Sequence, residues 1–167
     1  MLAEVAAYLE RIEDVRGQIR KLIAPLSSEA LNWRPIEGED DHATNSLAVL
    51  AAHVAGSEHF WIAEVVGGVP PTRDRDAEFR TETAGAAALV AGLDAVAAET
   101  RQVMEGLTES DLGETRQAWD RVVPVRWAIL HVIDHTSLHL GHIQLTYQLW
   151  QGGQSGESPR WFQRLDT

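Results

Sequence analysis

Apolar residues recur with a helical period in four long segments of the chain, and turn-forming residues interrupt them. The first segment, from about Leu2 to Ala24, carries Val5, Leu9, Ile12, Ile19 and Leu22 or Ile23 on one stripe. It runs out in APLSSEALNWRP, where Pro25 and Pro35 bracket a short connection. The second opens at Thr44, Asn45 and Ser46, all residues suited to cap a helix N-terminus, and runs to Gly67-Gly68. A charged stretch, TRDRDAEFR, reads as a loop leading into the third segment, about Thr83 to Gly106, whose period is held by Leu89, Leu93, Val96, Val103 and Leu107. A second long connection, Leu107 to Val123, holds only a weak extended signal in RQAWDRVV and ends at Pro124, a favoured helix opener. The fourth segment, VRWAILHVIDHTSLHLGHIQLTYQLW, stops at Gly152-Gly153. Four long helices without a repeat predict an all-α four-helix bundle with a long crossover connection, and the two long loops are expected to border a site.

At 167 residues the expectation is one domain spanning 1–167, able to bury a single core. The formal charge of −11 excludes a basic stripe for nucleic acid and disfavours an anionic membrane surface. No segment is apolar enough to span a bilayer, and the acidic N-terminus is unlike a signal peptide, so a cytoplasmic location is expected. The absence of cysteine changes the chemistry most: it removes disulfides, thiol nucleophiles and thiolate ligands at once. Any metal must be held by nitrogen or oxygen.

Four of the seven histidines lie in HVIDHTSLHLGH, at His131, His135, His139 and His142. At about 100° per residue they fall within about 80° of one another on the fourth helix. Trp127, Leu138, Leu145 and Leu149 flank them on one side and Val132, Ile143 and Trp150 on the other, which predicts that the histidines point inward. A buried imidazole without a partner costs about 1–3 kcal/mol, so four on one stripe argue for a ligand they share. Residues four apart can converge on one metal ion, and both His131/His135 and His135/His139 have that spacing. A third ligand is expected from the second helix. There His53 shares a face with Val49, Leu50, Phe60 and Trp61, whereas His59 lies about 120° away and is expected at the surface or an interface. His42, in GEDDHATN, is expected to be exposed. An all-imidazole set suits zinc, nickel, iron or copper, and spacing alone does not choose among them. Asp134, Glu58 and, more weakly, Glu64 are candidate acid–base or supporting groups, and Trp61 and Trp127 are candidates for a substrate pocket.

His53 in a second helix, HTSLHLGHIQ near the end of the chain, and LSSEALNWRP after the first helix together resemble the DinB-like superfamily over most of the chain. The resemblance implies a four-helix bundle with a crossover, a homodimer, and a divalent metal held by three histidines. Carried onto this sequence, the ligands are His53, His135 and His139, leaving His131 and His142 as neighbours of the site. His142 stands where many members have glutamine. Zinc or nickel is the expected metal and iron an alternative. Members with assigned activity include S-transferases that use mycothiol or bacillithiol, so a low-molecular-weight thiol and a small-molecule substrate are implied. A metal-dependent hydrolase and a non-catalytic, metal-stabilised bundle are the rival readings.

Overall fold

A computed structural model describes residues 1–36 and 44–153; His42 lies outside them. Four long helices form the frame: α1 (Ala3–Ile23), α3 (Leu47–Glu58), α5 (Ala86–Gly106) and α7 (Val125–Trp150). Helix α1 packs on α5 and α7, and α3 packs on the same two, which sets α1 diagonally opposite α3 and α5 opposite α7. The connections from α1 to α3 and from α5 to α7 therefore cross to the diagonal position, as a crossover bundle requires.

Short elements fill these connections. Helix α2 (Ser28–Asn32) is capped by Ser27. Thr108 and Asp111 form a reciprocal capping box for α6 (Glu109–Gly113), a helix the periodicity did not reveal. The weak extended signal becomes a hairpin of β1 (Thr115–Ala118) and β2 (Arg121–Pro124), with Ala118 opposite Arg121 and Trp119-Asp120 at its turn. The TRDRDAEFR stretch is not simply a loop. Asp74 caps a five-residue helix, α4 (Arg75–Phe79), by accepting from the Ala77 N–H, and α4 packs on α3.

Helix α3 opens where its capping signal predicted, with Ser46 Oγ accepting from the Val49 N–H. It then continues as a π-helix, His59–Val66, with Gly67 N–H reaching Ile62 O at 2.8 Å. Seven consecutive residues, Phe60 to Val66, are buried there. The segment packs against α5, α7 and β1, and these neighbours cover it on several sides.

The core is divided. One apolar cluster gathers Val5, Leu9 and Ile12 with Phe60, Ile62, Met104, Ile129 and Val132. The other gathers Val15, Ile19 and Ile23 with Leu47, Val54, Leu93, Leu140 and Ile143. Between them each long helix contributes a buried polar residue, Arg16, Glu58, Thr100 and Thr136, with buried Ser57 beside Glu58 on α3. Arg16 donates to Glu58 across the diagonal, and Thr100 Oγ1 donates to the same Glu58 Oε1 at 2.6 Å.

Candidate metal centre

The three-histidine cluster forms where α3 and α7 face each other, beside this polar layer. His53 Nε2 and His135 Nε2 are 3.1 Å apart, and His53, His135 and His139 each offer a ring nitrogen within 4.8 Å of the others. The His53 ring centroid is 4.9 Å from both of the α7 rings. Nitrogens bound at 2.0–2.1 Å to one tetrahedral ion are about 3.3 Å apart, so the His53–His135 separation suits a shared first-row ion.

The remaining nitrogen of His53 shows how the cluster is held. Nδ1 lies 2.8 Å from Glu78 Oε2, on α4. Arg73 grips the same carboxylate with Nε at 2.6 Å and Nη2 at 2.9 Å. Accepting from Nδ1–H fixes the tautomer and leaves the Nε2 lone pair directed at His135, the arrangement found around metal-bound imidazoles. Burial works to raise the Glu78 carboxyl, but the hydrogen bonds from Arg73 and His53 and their charges outweigh it and hold it below the usual range. The carboxylate lies over Gly56, where a Cβ would come within 2.0 Å of Glu78 Oε1. Only glycine leaves that path open. Farther along, Glu64 Oε1 accepts from the Thr72 and Arg73 N–H groups, so it fixes the segment that delivers Arg73.

Glu78, Arg73 and Gly56 were not legible as site residues. A run of alternating charges looks like a solvated loop, and its one usable signal was Asp74 as a helix cap followed by the Glu78-Phe79 pair.

The other candidate residues stand as follows. The buried face of α7 is formed by Val125, Ala128, Ile129, Val132, Thr136, Leu140, Ile143 and Thr146, and the histidine stripe lies along its border. Leu138, Leu145, Leu149 and Trp127 are exposed, so apolar residues flank the stripe on both sides but only one flank is core. His131, His135 and His139 are half-buried, and His142 is exposed with Nδ1 3.4 Å from His139 Nδ1. Glu58 is buried, but its hydrogen bonds go to Arg16 and Thr100 and none to the histidines. Asp134 is exposed on α7. His59 is not simply solvated: Nδ1 meets Glu99 Oε2 at 2.7 Å and Nε2 meets Thr72 Oγ1 at 2.9 Å. Trp61 is buried, while Trp127 is exposed and stacks on His131.

Burial first, then the neighbouring histidines, lowers the pKa of His135 to about 3; burial, His53 and His142 lower that of His139 to about 4. Both rings are neutral, ligand-ready bases at neutral pH. In the unfolded chain they protonate near the ordinary histidine value of 6.5. Below that pH the unfolded state binds more protons, so folding stability falls as pH drops toward the folded values. Metal-free protein is expected to melt at lower temperature at pH 5 than at pH 7. In His135→Gln that pH difference should shrink; an undiminished difference in thermal melts would refute the assignment.

Together these features define a crossover helical bundle with a three-imidazole centre between its second and fourth long helices. The chain belongs to the DinB superfamily, whose family profile matches residues 11–143. Among solved structures, the conserved protein of a locus from Enterococcus faecalis aligns with TM-score 0.73 at 15% identity, covering 91% of this chain and 99% of that one. A DinB-like protein from Bacillus subtilis aligns with TM-score 0.66 at 19% identity, covering 93% of this chain and 96% of that one. A DinB-like protein from Bacillus cereus gives 0.68 at 15% identity, over 90% and 95%. At such identities these likenesses establish the fold. Among curated proteins none matches.

Proposed function

We propose that the protein is a metal-dependent enzyme of the thiol S-transferase type, with a divalent zinc, nickel or iron ion held by His53, His135 and His139. The observation that carries this reading is the convergence of three imidazoles, one braced through Nδ1 by a carboxylate that is itself held by arginine. Three ligands leave a coordination position open, which is the mark of catalytic rather than structural sites. A bound ion there supplies Lewis acidity that lowers the pKa of a small-molecule thiol. The chain has no cysteine of its own, so the nucleophilic sulfur must be brought in. Its residues orient the site: Glu78 holds the His53 proton on Nδ1, and exposed His142, whose Nδ1 lies 3.4 Å from His139 Nδ1, would accept the thiol proton. A carbon–sulfur bond then forms as the leaving group departs with its bonding pair. A cytoplasmic location fits such thiols, and no helix among the described residues is long and apolar enough to cross a membrane.

Metal-loaded protein assayed with a panel of low-molecular-weight thiols and small electrophiles tests this. Turnover that requires both thiol and metal is expected. Activity without thiol would assign a hydrolase instead, and no turnover with any thiol would sink the reading.

A homodimer belongs to the same proposal. Leu138, 59% exposed, lies in line with exposed Leu145 and Leu149 on α7, with Gly141 between them to allow close approach of a second helix. Sedimentation velocity should give a dimer at micromolar concentration and a monomer for Leu138→Glu/Leu145→Glu. A monomeric wild type would refute it.

A further inference from the structure

Next to the histidines, aromatic rings build two stacks against one buried indole. Trp61 is met nearly edge-on by Trp119 (5.9 Å, 74°), by Trp127 (5.4 Å, 72°) and by His131 (4.9 Å, 71°). Trp119 lies almost parallel to Phe60 at 4.2 Å and 15°, and Trp127 almost parallel to His131 at 4.9 Å and 5°. Each stack has an inner ring, buried Phe60 or half-buried His131, and an outer indole open to solvent: Trp119 is 62% exposed and Trp127 45%. Among the described residues no ring contact joins the two indoles.

Packing alone does not explain this arrangement. Trp119 occupies the two-residue turn between β1 and β2 with φ of 51°, in the left-handed region. Asparagine or glycine would adopt that conformation with little strain, whereas a large side chain is disfavoured there. The turn thus holds an indole in a strained backbone position and leaves most of it in water. Trp127 opens the face of α7 that leads to the cluster, with only His131 between it and His135; the His131 and His135 centroids are 5.7 Å apart. The other stack also touches the site, since Arg73, which braces Glu78, places its guanidinium carbon 5.6 Å from the Phe60 centroid.

We propose that the exposed indoles of Trp119 and Trp127 receive an aromatic ring of the substrate and so place its reactive substituent toward the three-histidine centre. This rests on the metal-centre reading above. Indole faces reward a flat aromatic partner beyond the area it buries, through offset or edge-on contact. They also attract cations, but a cationic ligand would be repelled by a divalent ion in the adjacent centre. A neutral or anionic arene is therefore the class favoured.

The test compares benzohydroxamate with acetohydroxamate by calorimetry on the zinc-loaded protein, since both carry the same chelating group and only one carries a ring. The wild type should prefer benzohydroxamate by about tenfold or more. In Trp119→Ala and Trp127→Ala that preference should fall to about threefold or less, while acetohydroxamate affinity stays unchanged. An equal affinity for the two probes in the wild type, or a preference untouched by both variants, overturns the proposal. Failure of both probes to bind would refute the metal centre and not the ring site. In that case 2-naphthol, followed by NMR on the metal-free protein, decides: binding weakened in the variants supports the ring site, and no binding overturns it. If either variant converts a wild-type dimer to a monomer, the indoles belong to a subunit interface and the proposal falls.

Discussion

Replacing His135 with alanine is expected to reduce bound metal from about one equivalent per chain to less than about a tenth, measured by elemental analysis of reconstituted, tag-free protein. His135 is the ring that meets His53 across the two helices, at 3.1 Å, and it also neighbours His139 on its own helix. Without it His53 and His139 remain, and two imidazoles make a weak site. Glu78→Gln should give a graded result: unchanged stoichiometry but an affinity about 10–100-fold weaker in competition with a chelator. The amide oxygen can still accept from His53 Nδ1–H, but the negative charge that makes the ring a better donor is gone. His142→Ala should leave stoichiometry and affinity unchanged, because His142 lies outside the converging set. Full metal occupancy in His135→Ala would mean that another group completes the site, and the assignment of ligands would fail.

These three residues also mark what the chain alone could disclose. The i to i+4 histidines and the inward placement of His53 are encoded in helical period, so the bundle and a site joining His53 to a histidine pair on α7 were legible; the choice of His135/His139 over His131/His135 came from the resemblance to the DinB-like superfamily. The exposure of α7 was not, because periodicity shows where apolar residues lie but not how wide a face its neighbours cover. Leu138 and Leu140 look alike in a sequence, yet one is exposed and the other buried. The brace from α4 was hidden for a different reason. Glu78 reaches His53 through a five-residue helix, a length at which local signals barely exceed those of a loop. Its space also depends on Gly56, a glycine inside a helix, which reads simply as a weak helix former. The π-helical turn that carries Phe60 and Trp61 was hidden as well, since no residue in HFWIAEVV announces it.

Arg16→Met is expected to destabilise the fold by about 3–5 kcal/mol in urea titrations, and Arg16→Met/Glu58→Leu to recover most of that loss. Glu58 is 1% exposed; among the described residues its Oε2 has no hydrogen-bond partner, and Arg16 and Thr100 donate to Oε1. Burial already pushes its carboxyl up, with the Arg16 charge and the Thr100 bond working against it. Removing the arginine leaves an unpaired charge between two apolar clusters, unless the group takes up a proton. The penalty therefore has a definite pH dependence. A folded-state value raised above the unfolded one holds full stability at low pH and loses it as pH rises past the unfolded value. The gap between Arg16→Met and wild type should accordingly narrow as pH falls toward 4.5 and widen toward pH 8. In the double variant no carboxylate remains to strand, and the volume is refilled with apolar atoms. A gap independent of pH, or a double variant no more stable than the single, would show that the layer holds the bundle by packing alone. The ion pair joins the diagonal helices α1 and α3, which pack mainly on α5 and α7. It opposes slippage of one against the other, and through Thr136 the same layer sits one residue from His135 on α7.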